Sequence, residues 1–140
     1  MSQSNTRTGD LTFPAGQDLT DKQDLLVVLT HTNGVPKVKL PIAITDAALY
    51  LLMEGAVEGK TVYVRPLDQN RNLRIRLKGT CNPGDVLVLA AITTDDAGKV
   101  RVLPTTAGTY RALFIAEEIG QDGQLIKCRP NPLGLITVSA

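Results

Sequence analysis

The chain has 140 residues, with 15 Lys+Arg against 14 Asp+Glu and a formal charge of +1. That length is one domain or two very small ones, with enough core to fold without disulfides or metals. The charge balance gives no case for nucleic-acid binding, and no apolar run nears the roughly 20 residues that cross a bilayer. The first ten residues are polar and lack the apolar stretch of a secretion signal, and two cysteines, Cys81 and Cys128, cannot form a disulfide framework.

Residues 1–24 stand apart. They carry Ser, Asn, Thr, Gly, Asp and Gln, with Leu11, Phe13 and Leu19 as the sizeable apolar side chains after Met1. Such a segment buries too little to offset its own ordering entropy. It is expected to be an extended N-terminal arm that orders against something else, with Phe13-Pro14 as its anchor.

From Asp24 the pattern becomes short apolar runs separated by turn residues. Leu25–Leu29 leads into Asn33-Gly34, a strong hairpin signal, and Val35–Leu40 follows. The runs 61–65, 73–78, 86–92, 100–103, 110–116, 124–129 and 135–138 continue in this style. They are punctuated by Asn82-Pro83-Gly84-Asp85, Asp95-Asp96-Ala97-Gly98, Asp122-Gly123 and Pro130-Asn131-Pro132. This spacing predicts an all-β sandwich or barrel over 25–140. Residues 46–54 have a helix-like composition, with Asp46 as a possible N-cap and Gly55 as the stop.

An internal duplication decides for strand there. Asp24–Leu29 matches Asp85–Ala90, Lys37–Pro41 answers Lys99–Pro104 with one insertion, and Gly59–Pro66 lines up with Gly123–Pro130. In that frame Tyr50-Leu51 falls opposite Phe114-Ile115. The halves, about 24–66 and 85–130, read as one four-strand unit written twice, and 48–53 is expected to be a strand.

Two runs, Leu25–Leu29 and Val86–Ile92, are apolar on both faces and so need covering on both sides, by a closed barrel, a second sheet or another subunit. Leu73-Arg74-Ile75-Arg76-Leu77-Lys78 alternates cleanly, which presents Arg74, Arg76 and Lys78 as a cationic edge or a basic ridge for an acidic partner.

Reactive groups are sparse. His31 lies in a predicted turn, Cys81 and Cys128 are far apart in sequence, and Walker, GxSxG and HExxH motifs are absent. Asp95-Asp96 and Glu117-Glu118 read as a turn and a solvated strand end. No catalytic residue, metal ligand or cofactor is expected. A carbohydrate- or ligand-binding β module, such as part of a head fibre or a surface adhesin, is the alternative from another class. Its best aromatic pair is Tyr110 with Phe114, four apart on one predicted strand face.

The stretch Phe13-Pro14-Ala15-Gly16-Gln17-Asp18-Leu19-Thr20-Asp21-Lys22-Gln23, followed by Leu25–Leu29 and a turn into Lys37-Val38-Lys39-Leu40, resembles the start of tailed-bacteriophage capsid decoration (cement) proteins. Asn82-Pro83-Gly84-Asp85-Val86-Leu87-Val88, then Asp96-Ala97-Gly98-Lys99-Val100, then Ala112–Ala116, continues the resemblance. Tyr50-Leu51-Leu52 and the polar loop 68–72 depart from it. The resemblance implies a small β-barrel or β-tulip domain and a homotrimer on the outside of a virion head, bound to the major capsid protein, with no nucleic-acid or membrane partner. It also implies that Leu11, Phe13, Pro14 and Leu19 form a capsid-binding arm.

Overall fold

The computed structural model describes residues 9–93 and 95–139. Ten strands are present: β1 (Leu11–Pro14), β2 (Leu26–Thr32), β3 (Val35–Lys39), β4 (Tyr50–Glu54), β5 (Thr61–Pro66), β6 (Leu73–Arg76), β7 (Val86–Leu89), β8 (Val100–Val102), β9 (Gly108–Ala116) and β10 (Leu125–Val138). Among the described residues there is no helix. The all-β expectation holds.

The strands form two five-stranded sheets, ordered β1-β5-β4-β2-β3 and β6-β10-β9-β7-β8. Each name in the second order is the strand five places later in the chain than its counterpart in the first. Neighbours within each sheet are antiparallel. A parallel bridge then brings the outer strands together, Ala15 to Val38 in the first unit and Leu77 to Val100 in the second. Each sheet thus curls into a nearly closed barrel and hides most of its edge groups.

The main-chain bonds repeat as well. Gly16 N–H donates to Val38 O at 2.7 Å, as Lys78 N–H does to Val100 O at 2.8 Å. Leu19 N–H reaches Ala56 O as Cys81 N–H reaches Gly120 O, and Gly59 N–H reaches Ala15 O as Gly123 N–H reaches Leu77 O. The interiors correspond too. Ala15, Leu19, Val38, Val62 and Val64 fill the first barrel where Leu77, Cys81, Val100, Ile126 and Cys128 fill the second.

The repeat unit therefore has five strands, one more than the four expected. The extra strand of the first unit is Leu11–Pro14, inside the segment expected to be an arm. That expectation is corrected for residues 11–24. β1 pairs with β5 from Leu11↔Val64 to Pro14↔Thr61, and Leu19 is wholly buried. The segment is polar in total, but its few apolar residues sit where one barrel face needs them. Residues 1–8 lie outside the described residues.

The alignment of β2 with β7 also moves by one residue. Asp24 corresponds to Gly84, because Asp24 N–H bonds to Leu52 O as Gly84 N–H bonds to Ala116 O. Both residues have left-handed backbone, φ 70° and φ 90°. Matching Asp24 to Asp85 followed side-chain identity and missed this shared conformation.

The strand expected over 48–53 is present over Tyr50–Glu54, and the helix cues there have other uses. The Asp46 carboxylate accepts the N–H groups of Ile42 and Ala43, which tightens a turn ahead of it. Gly55 lies hard against the backbone of Leu19. The two runs read after Asp122-Gly123 are one strand, β10, with a register shift between Pro130 and Gly134.

The doubly apolar runs are covered within the chain except at their last residues, Leu29 and Ile92, which are exposed. Val27 faces the first barrel's interior, while Leu26, with Ala48 and Leu51, packs against the second unit. Leu87 and Leu89 face that large cluster, and Val88 faces a third cluster with Tyr110 and Ala112. At the join Leu26 N–H donates to Gly98 O at 2.9 Å. A Cβ on Gly98 would meet Leu26 O at 2.8 Å, so glycine is required there for close approach as well as for its φ of +89°.

Candidate interaction surface

The residues singled out in the sequence fall into three places. Leu11, Phe13 and Leu19 belong to the first barrel's core. Phe13 meets Tyr50 edge to face, with ring centroids 6.1 Å apart. Only Pro14 of the four is exposed. Just before β1, the Asp10 carboxylate takes two bonds from Arg65, at 2.8 and 3.0 Å, which pins β1 to β5. These residues hold the barrel shut, so Leu11, Phe13 and Leu19 are not free to reach across a shell.

Arg74, Arg76 and Lys78 do project from the second barrel, but each has a partner in the chain. Arg74 donates to Glu118 at 3.0 Å and to Leu125 O, and Arg76 donates to Gly123 O at 2.9 Å. Lys78 lies 3.6 Å from Asp96, which also receives Lys99 at 3.1 Å. Arg74 and Lys78 face carboxylates of their own barrel, which mutes the ridge as a target for an acidic partner.

Three of the carboxylates that sequence reading marked, Asp96, Glu117 and Glu118, are held by donors. Glu117 accepts from Arg129 and Asn72, and these bonds hold its carboxyl below the usual range. Glu118 is lowered by the Lys127 N–H first and by Arg74 next. Asp96 is lowered chiefly by its bond to Lys99. Burial pushes both thiols up, Cys128 more strongly, which keeps them protonated and weakly nucleophilic. His31 Nδ1 accepts the Gly34 N–H at 2.9 Å and serves its hairpin turn.

Three shallow hollows mark the surface. One of about 420 Å³ sits against β9 and β10, lined by Gln69, Ile115, Glu117, Arg129, Pro130 and Asn131. A second, about 390 Å³, lies on the β2–β3 hairpin, and a third, about 330 Å³, is bounded by Leu40, Ile42 and Ile92 where the units meet. The aromatic pair considered for sugar stacking lines none of them. Tyr110 and Phe114 are both buried in different clusters, because a register shift in the β7–β9 pairing falls between them. Tyr110 donates its hydroxyl to Thr106 O.

What sequence reading missed is the length of the β9–β10 ribbon and its exposed Leu133 and Leu135. Pro130-Asn131-Pro132 read as a stop, whereas the chain bulges there and resumes pairing at Gly134. The signal available was Leu135–Val138, an apolar run too long for a bare terminus.

This architecture defines a class: tandem five-stranded barrels from one duplicated unit. No protein-family model matches the chain, and no curated protein does. Among solved structures it is similar to the head fiber gp8.5 N base in bacteriophage phi29, with a TM-score of 0.62 and 17% sequence identity, over 87% of this chain and 92% of that one. At that identity the similarity establishes the shared fold.

Proposed function

We propose that this protein is a structural component of a phage head, carried on the outer surface of the virion as a decoration (cement) protein that binds the major capsid protein and stabilises the shell. The observation that carries this reading is the tandem-barrel similarity, over most of both chains, to a phage head fiber base. The resemblance of 13–23 and 82–100 to decoration proteins points the same way. The absence of catalysis belongs to the proposal: Asp96, Glu117 and Glu118 are held ionised by donors and the thiols protonated by burial, an arrangement suited to rigidity.

A cement protein acts by mass action, favouring the assembled lattice it binds. Many symmetric copies turn modest contacts into avidity. With the first barrel using Leu11, Phe13 and Leu19 internally, attachment falls to outward surfaces of the two barrels. A second reading, favoured by the same similarity, is that the chain is the base of a head fibre.

Co-sedimentation of the purified protein with mature heads of the virus that encodes it, stripped of this protein, tests both readings. Saturable binding with regularly spaced density on the shell, seen by electron microscopy, is expected. Heads that take up none of it under low-salt buffer overturn the proposal. Copies on every lattice position favour cement, and a few copies under projecting fibres favour the base.

A further inference from the structure

The β2–β3 hairpin ends in a two-residue turn, closed by the pair Thr32↔Val35. Its central residues, Asn33 and Gly34, both have left-handed backbone, φ 50° and φ 81°, as the tightest hairpin turns require. Residues 31–36 are all exposed. Nothing lies within 4 Å of the place a Cβ would take on Gly34. The Asn33 carboxamide is thus free to swing toward the backbone that follows it, with water at hand. The Gly34 N–H donates to His31 Nδ1 at 2.9 Å.

That bond bears on a reaction of the turn itself. In an Asn-Gly step the backbone nitrogen of the glycine can close on the carboxamide carbon before it, because no Cβ blocks the approach. The attacking nitrogen must first give up its proton. A carbonyl acceptor cannot take it, whereas an imidazole nitrogen that accepts a hydrogen bond holds a basic lone pair. His31 Nδ1 lies within the reach of a general base from the nitrogen that would attack. Asp122-Gly123 offers a comparison within the chain. There the Gly123 N–H donates to Leu77 O at 2.8 Å, and Asp122 Oδ1 accepts the Gly79 N–H at 2.8 Å. Neither the nitrogen nor the carboxyl group of that step is free to react.

We propose that Asn33 is a site of covalent self-modification, in which His31 serves as general base for deamidation of the Asn33-Gly34 turn. His31 Nδ1 takes the proton of the Gly34 N–H, and the Gly34 nitrogen bonds to Asn33 Cγ. The Cγ–Nδ2 bond breaks, and Nδ2 leaves as ammonia with the proton that the imidazole returns. One water then opens the five-membered imide at either carbonyl, which yields aspartate or isoaspartate. The net change is one water consumed and one ammonia released, with no oxidant or reductant. Each event puts a carboxylate on the hairpin tip. The iso form also adds a carbon to the backbone of the turn, which no longer matches the two-residue closure at Thr32↔Val35.

The test is peptide mass mapping of the full chain held at pH 8, for the wild type, His31→Gln and His31→Ala, with circular dichroism to show that each is folded. In the wild type the peptide holding Asn33 is expected to gain, over time, the mass of OH in place of NH2. Its isoaspartate form is expected to be methylated by an isoaspartyl methyltransferase, and the peptide holding Asp122-Gly123 is not. Gln offers an accepting oxygen without a basic lone pair, so His31→Gln is expected to slow the reaction about tenfold or more. Added imidazole is expected to restore part of the rate in His31→Ala. The direction of the change separates a base from a brace: a bond that only held the turn would, once lost, loosen Asn33 and speed deamidation. A wild-type Asn33 that stays intact, or folded His31 variants that deamidate as fast as the wild type or faster, overturns the proposal. It does not rest on the head-surface reading, which co-sedimentation tests separately.

Discussion

Gly55 packs so closely on the carbonyl of Leu19 that no side chain fits between them: a Cβ at position 55 would stand inside that oxygen. Leu19 is itself buried in the first barrel. The contact ties the loop after β1 to the end of β4, and neither partner is a flexible side-chain tip that could move aside. Gly55→Ala is expected to cost about 2–3 kcal/mol, as overpacking against fixed backbone does. Gly9→Ala, with nothing near its Cβ, is the control. Urea unfolding monitored by circular dichroism compares them.

Phe13 and Leu19 separate an arm from a barrel strand. As exposed anchors they would change stability little on truncation. As core residues, Leu19→Ala is expected to cost about 3 kcal/mol and Phe13→Ala, which is half-buried, about 2 kcal/mol. A stability change under about 0.5 kcal/mol for both, the surface norm, would return them to the solvent.

Several carboxylates set the acid limit. Asp10, held chiefly by its bond to Arg65, and Asp96, held chiefly by Lys99, both have folded values below the ordinary one. A lowered folded value contributes stability that is present above the unfolded value, about pH 4, and is lost as pH falls through the folded value. Stability is therefore expected to drop between pH 5 and pH 2, by about 1 kcal/mol or less per exposed pair, with the melting temperature falling accordingly. Asp10→Asn is expected to flatten part of that drop, and calorimetry across the range checks it.

Cys81 and Cys128 are buried and free, with thiols raised by burial. A thiol reagent at pH 8 is expected to label neither within minutes in the native protein and both after unfolding in urea. Rapid native labelling of Cys128 would mean that the second barrel opens readily.

Much of the architecture was legible in the chain. Alternation and turn residues determined the strands, and the repeat of Lys37-Val38 at Lys99-Val100 and of Gly59 at Gly123 marked the duplication, because turn chemistry and strand periodicity are local. The strand over Tyr50–Glu54 followed from that repeat against its helix propensity. What local pattern could not supply was pairing between distant segments. Leu11–Pro14 is too short and too polar in its surroundings to announce a strand, and only β5 alongside it makes it one. The packing of Leu26 in one cluster with residues of the second unit, and the neutralisation of Arg74 and Lys78 by Glu118 and Asp96, likewise depend on residues far away in sequence. The edge of β10 past Cys128, which β6 does not cover, is the clearest case: a strand's side chains are written in the sequence, but whether its backbone has a neighbour is a property of the assembled sheet.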